Sequence, residues 1–182
     1  GAIETAALCA VNTTLAASTS CIGSLFISYY ITGEGYSIQS ALNGTIAGLV
    51  SVCAGCATMT EYSAIVTGVV AAFMWMTVSR FLLHMGIDDV VDAVAVHGAA
   101  GAWGLVAAAL LSHPQKIEIV YGVTGDEAKG LFYGGDGQLL LNALCGIVVI
   151  VGWTAASMFV VYFIVSYFGS LRVSDRVERD GL

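Results

Sequence analysis

The sequence predicts an all-α fold, a polytopic bundle of membrane-spanning helices. Three observations carry that expectation. Hydrophobic residues make up 58% of the 182 positions and charged ones only 10%, against roughly 25% charged in soluble domains. The apolar residues come in long unbroken runs, without the period-two alternation of a membrane β-barrel. The charges, six Lys/Arg and thirteen Asp/Glu, are confined to Glu4, Glu34, Glu61 and the segments 80–92, 116–136 and 172–180. A soluble domain could not hide so much apolar surface behind so few charges. The net charge of −7 and the lack of a basic patch exclude nucleic acid as a partner. The same hydrophobicity excludes disorder.

The uncharged stretches are 5–33, 35–60, 62–79, 93–115 and 137–171. A helix needs about 20 apolar residues to cross the hydrocarbon layer, where only helices or closed barrels satisfy the backbone. Five helices are therefore expected, at about 5–32, 41–60, 62–83, 89–112 and 137–169, forming one membrane unit over 1–171 with the start of a tail at 172–182. The first two are rich in Ser, Thr, Ala, Gly and Asn, which suits helix–helix contact better than contact with lipid. Gly44-Thr45-Ile46-Ala47-Gly48 is a GxxxG instance that reads as packing. A straight helix over 137–171 would exceed ~50 Å, so it must tilt, bend or project. Arg80, Arg172, Arg176 and Arg179 fall on one side of this topology, Lys116 and Lys129 on the other. The positive-inside rule then puts the 80–92 loop and the C-terminus in the cytoplasm and the N-terminus outside. Residues 1–10 lack the basic region of a signal peptide.

The densest polar feature is Asp88-Asp89-Val90-Val91-Asp92, which opens the fourth helix. Carboxylates there cap free N–H groups and complement the helix dipole, a structural role. His97 differs, lying at least one turn inside an otherwise uncharged span. α-Helical spacing puts Ala93, Ala100, Gly101, Gly104 and Ala108 on its face. Small side chains around an imidazole leave room for a path, and an ionisable residue inside the membrane is a functional candidate. Cys53-Ala54-Gly55-Cys56 reads as small apolar filler within a helix, with too few ligands for a metal. His84 and His113 fall in loops as solvated side chains. Gly134-Gly135-Asp136-Gly137 reads as a turn into the last helix, since no phosphate-loop lysine comes after it. No nucleophile–base pair marks an enzyme, no cofactor or metal is expected, and a membrane oxidoreductase would need a second intraspan histidine that is not here.

Taken in order, several pieces resemble the C-terminal half of an ammonium transporter of the Amt/Mep/Rh superfamily, most like its plant and algal branch. They are Asn43-Gly44-Thr45-Ile46-Ala47-Gly48-Leu49-Val50, Ala54-Gly55-Cys56-Ala57, Asp88-Asp89 through Asp92 to Val96-His97-Gly98, Gly101-Ala102-Trp103-Gly104-Leu105, Gly134-Gly135-Asp136-Gly137-Gln138-Leu139-Leu140, and the tail from Leu171-Arg172-Val173 to Glu178 and Gly181-Leu182. The resemblance implies a subunit of eleven helices in two inverted five-helix halves plus a long last helix, assembled as a homotrimer with one hydrophobic pore per subunit. This chain would supply helices seven to eleven.

On that resemblance, His97 matches the second member of the mid-pore twin-histidine pair, and Ala93 and Gly101 border the substrate path. Asp88, Asp89 and Asp92 match a structural signature at the cytoplasmic helix start, and Arg172 and Glu178 belong to a regulatory tail open to a cytoplasmic regulator. The implied substrate is ammonium or ammonia, and the implied setting is the lipid bilayer of the plasma membrane. The first histidine, the fifth-helix aspartate and the Phe and Ser of the outer cation–π cup belong to the half not present. The chain therefore reads as a fragment or one part of a split protein that needs the other half to transport. The alternative is a non-transporting scaffold or ammonium sensor of the same descent.

Overall fold

The computed structural model describes residues 1–33, 35–169, 171 and 175–180, with only the backbone of Glu127, Asp175, Glu178 and Arg179. Its described elements are helical apart from one isolated bridge between Met59 and Ser112. In order they are α1 (Ala2–Phe26), a π-helical turn (Ile27–Ile31), α2 (Ile38–Val52), α3 (Glu61–His84), a π-helical segment (Val94–Ala99) running into α4 (Ala100–Leu111), α5 (Pro114–Tyr121), two short 3₁₀ turns, α6 (Gln138–Phe168) and α7 (Asp175–Asp180). Among the described residues, four helical stretches are long and apolar enough to cross a membrane: Ala2–Ile31, Glu61–His84, Val94–Leu111 and Gln138–Phe168. The helix expected at 41–60 is shorter, Ile38–Val52.

The chain divides into two compact units, 1–144 and 145–182. In the first, α1 packs on α2 and α3, and α2 packs on α3 and α4. Its interior is made of small residues. Ala16, Ala47, Ala64, Ala71, Ala72, Ala100 and Ala107 are wholly buried, as are Ser20, Ser24, Ser51 and Thr67. Where glycines occur, backbones touch. A methyl group on Gly48 would collide with the Ala16 carbonyl, one on Gly68 with Ala16 and Thr19, and one on Gly104 with the Ser51 carbonyl. This is the close-approach packing that small residues permit between membrane helices. The second unit holds the greater part of α6, none of whose residues is buried, together with α7.

Asn12 explains why α2 stops early. It is fully buried in α1, and its Nδ2 donates to the carbonyls of Cys56 at 2.8 Å and Met59 at 3.0 Å. Those carbonyls are thereby drawn toward α1, and the chain from Cys53 on makes tight turns, with Gly55 N–H on the Val52 carbonyl at 3.0 Å. The Cys53–Cys56 motif consequently lies beyond the helix rather than inside it, and Cys53 is exposed. The turn is also tied to the end of α4, where the Thr58 and Ser112 hydroxyls share a hydrogen bond of 2.7 Å. His113 departs from the solvated loop position expected of it. It is half-buried, its ring meets Tyr133 edge-on at 4.9 Å, and its Nδ1 is buried without a partner. Pro114 then opens α5 and Gly122 ends it at φ +67. Asp136 caps α6, accepting from the Gln138 N–H at 2.9 Å.

One end of the bundle thus gathers 53–60 and 112–137, and the other gathers 31–33, 35–37 and 80–92. Replacing Gly48 with Val should wedge α1 from α2 and cost about 1–3 kcal/mol, read as a lower thermal unfolding midpoint in detergent. Gly152→Ala, where nothing lies near an added methyl, should not lower the midpoint and should raise it slightly, since Ala favours a helix interior over Gly.

Candidate functional site

The site is built from the segment joining α3 to α4. α3 ends at His84, and Gly86 takes a φ of +68 to turn the chain. Asp89 then caps the next helix with both oxygens, accepting from the Ala93 N–H and the Val94 N–H at 2.8 Å each. A carboxylate at that position also meets the positive end of the helix dipole.

Asp92 has a separate function. It is the one non-glycine residue among those described with a positive φ, +56, a conformation that Asp tolerates better than most. Its side chain is buried. Ser79 Oγ of α3 donates to Oδ1 at 2.6 Å, and Asn43 Nδ2 of α2 donates to Oδ2 at 2.8 Å. Two donors offset the cost of taking the carboxylate out of water. The three aspartates expected to cap one helix therefore divide. Asp89 caps, Asp92 holds α2 and α3 to the start of the next helix, and Asp88 is exposed. The cause is the left-handed turn at Asp92, which starts the helix at Ala93 instead of 89 and aims that carboxylate inward.

His97 lies within the π-helical segment Val94–Ala99, and its side chain is exposed, as are Ala93, Val94 and Gly98. On the opposite side, Ala95, Val96 and Ala100 pack with Ala71, Ala72 and Trp75 in the core. A π turn carries an extra residue and shifts the register of the helix beyond it. This corrects the face drawn from α-helical spacing. Ala100 is fully buried and Gly104 sits against Ser51, so neither flanks the imidazole. Gly101 is half-buried, with Val50 beside the place its side chain would take. Trp103 anchors α4 by donating to the Thr67 carbonyl at 3.0 Å.

Below this segment, at the 80–92 end, lies a polar pit of 280 Å³ whose walls include Trp75, Ser79, Arg80, Asp88, Asp89 and Asp92. The indole N–H of Trp75 is buried there without a hydrogen-bond partner. Sequence reasoning gave no role to Asn43, which it noted only as the start of a matching segment, and passed over Ser79 and Trp75. The available signal was that Asn43 and Ser79 are polar residues in apolar runs, each needing an internal partner. Arg172 lies outside the described residues, and the side chain of Glu178 does too.

The sequence profile of the Ammonium Transporter Family matches residues 1–182. Over 173 residues the chain is 34% identical to Ammonium transporter 1 member 3 of Oryza sativa subsp. japonica, covering 95% of this chain and 34% of that protein. It is 34% identical to Ammonium transporter 1 member 1 of Arabidopsis thaliana, again over 95% of this chain and 34% of the relative. The chain thus spans about a third of the length of these relatives. Its fold superposes on the crystal structure of Saccharomyces cerevisiae Mep2 with a TM-score of 0.80 and 22% identity, over 90% of this chain and 38% of that one.

Removing the buried carboxylate by Asp92→Ala should strand the Asn43 and Ser79 donors and cost about 2–4 kcal/mol. Asp92→Asn, which tolerates the left-handed turn, should lose less, and Asp88→Ala should stay within about 0.5 kcal/mol. Thermal unfolding of the purified variants in detergent reads all three.

Proposed function

The chain belongs to the Ammonium Transporter Family, and from that premise we propose that it is the C-terminal half of a subunit that moves ammonium or ammonia across a membrane. In this reading it contributes five spans, the short α2 among them, as helices seven to eleven of an eleven-helix subunit. The pore runs between this half and the other, and His97, Ala93 and Gly101 border it. Subunits assemble as trimers in the plasma membrane, with the 80–92 segment and the C-terminal tail in the cytoplasm, where Arg172 and Glu178 belong to a segment open to a regulator.

The observation that carries the reading is the exposed imidazole of His97 in a span free of other ionisable groups. A polar ionisable side chain facing hydrocarbon is unfavourable, and such residues face a cavity or another protein surface. The neighbouring residues Ala93, Val94 and Gly98 are small or apolar, so the surface around the ring offers little else to a polar permeant. The chemistry rests on that contrast. An ammonium ion cannot cheaply shed its water to enter an apolar tube. Ammonia can, if its proton is left behind and a hydrogen-bonding foothold is offered. A neutral imidazole is such a foothold, with one donor and one acceptor nitrogen and no fixed charge. The proton-accepting partner and the outer cation site fall to the other half.

Asp89 and Asp92 serve this arrangement from a distance. They set where the helix begins, and so the depth at which His97 stands five residues after Asp92.

The test is a hybrid in which the N-terminal half of a family member is joined to this chain and assayed for methylammonium uptake. The hybrid should transport, and His97→Ala should lower uptake at least ~10-fold without loss of folded protein. A folded hybrid that takes up nothing would overturn transport in favour of a scaffold or sensor.

A further inference from the structure

The Cys53-Ala54-Gly55-Cys56 motif has no part in permeation. It sits in the turn after α2, at the end of the bundle away from Asp92. Cys53 is exposed there, while Cys56 is half-buried against Ala16, Val52 and Ala64. The Asn12 side chain holds the Cys56 carbonyl at 2.8 Å. Cys9 stands three residues before Asn12 on the same face of α1, is itself half-buried, and presents its side chain to the Cys56 thiol. Cys53 faces another way, its Sγ donating back to the Leu49 carbonyl at 3.1 Å. Among the described residues no three His, Cys, Asp or Glu converge as a metal site.

We propose that Cys9 and Cys56 form a redox-active thiol pair, reached through the exposed Cys53, that closes into a disulfide joining α1 to the α2–α3 turn. The oxidant is a low-molecular-weight disulfide such as oxidised glutathione. The Cys53 thiolate attacks it, its S–S bond breaks, and one thiolate leaves as a mixed disulfide forms on Cys53. The Cys56 thiolate then attacks the Cys53 sulfur and expels the second small thiolate. Finally the Cys9 thiolate attacks the Cys56 sulfur and Cys53 leaves as a thiolate. The two protein thiols lose two electrons and two protons in all, and the small disulfide becomes two thiols. The partial burial of Cys56, then the Cys9 side chain beside it, push the Cys56 thiol up to about 11. Little of it is thiolate near neutrality, so its exchange step is slow there and quickens as the pH rises. The product fastens the turn that Asn12 caps, at the opposite end of the bundle from the aspartates.

The experiment exposes the intact protein in lipid nanodiscs to oxidised glutathione, blocks free thiols, and maps peptides without reduction. A Cys9–Cys56 linked peptide that a dithiol reductant reverses is expected. Cys53→Ser should slow its formation about tenfold, and Cys9→Ser should halt the sequence at Cys53–Cys56. A wild-type end product confined to glutathionylated Cys53 or to Cys53–Cys56 would overturn the proposal. Dibromobimane, which fluoresces on bridging two neighbouring thiols, gives a check on the wild type that needs no variant to fold. A bridged Cys9–Cys56 peptide supports the pair, and separately alkylated Cys9 and Cys56 refute it.

Discussion

The buried carboxylate of Asp92 is the point on which the candidate site depends. It receives one hydrogen bond from Asn43 in α2 and one from Ser79 in α3, while its own backbone begins the helix that carries His97. Three segments distant in sequence are thereby brought to one register by a single side chain. The geometry is demanding because a carboxylate without water must be met by donors. The positive φ at Asp92 lets one residue turn the chain and face inward together. The height of His97 along its helix is set by where that helix starts, so a buried carboxylate at one end fixes the position of the candidate histidine further in.

The rest of the fold supports this through small residues. Alanine, serine and glycine fill the interior, whereas Val148, Val149, Val151, Phe159 and Phe163 are exposed. That order inverts the one found in water. Lipid tails are as apolar as a leucine side chain, so burying large apolar groups brings little, and close backbone contact takes over. Gly48, Gly68 and Gly104 mark where α1, α2, α3 and α4 approach most tightly. Within Val94–Leu111 the exposed imidazole of His97 is the one ionisable group.

The π-helical segment connects these two themes. A strict α-helix would carry Ala100 and Gly104 round to the side of His97, yet both are packed into the bundle. One additional residue in the turn allows the imidazole to point outward while the helix beyond it stays seated on Ser51 and Thr67. π-Bulges concentrate at functional sites for this reason, since they re-aim one side chain without moving the scaffold.

Composition and charge placement were enough for the all-helical class, the apolar runs and the prominence of His97, because a chain in hydrocarbon must satisfy its backbone within each segment. Those constraints are local, so residue order alone carries them. The residues that settle the site's geometry act across long separations. Asn12 ends α2 by capturing carbonyls of Cys56 and Met59, and Asn43 and Ser79 decide that Asp92 faces inward while Asp89 caps. Nothing in the spacing of the three aspartates distinguishes those roles, and a period of 3.6 cannot announce a π turn. Tertiary packing chose the helix ends, the register around His97 and the placing of the cysteines, because each depends on which partner group lies within hydrogen-bond reach once the helices are side by side.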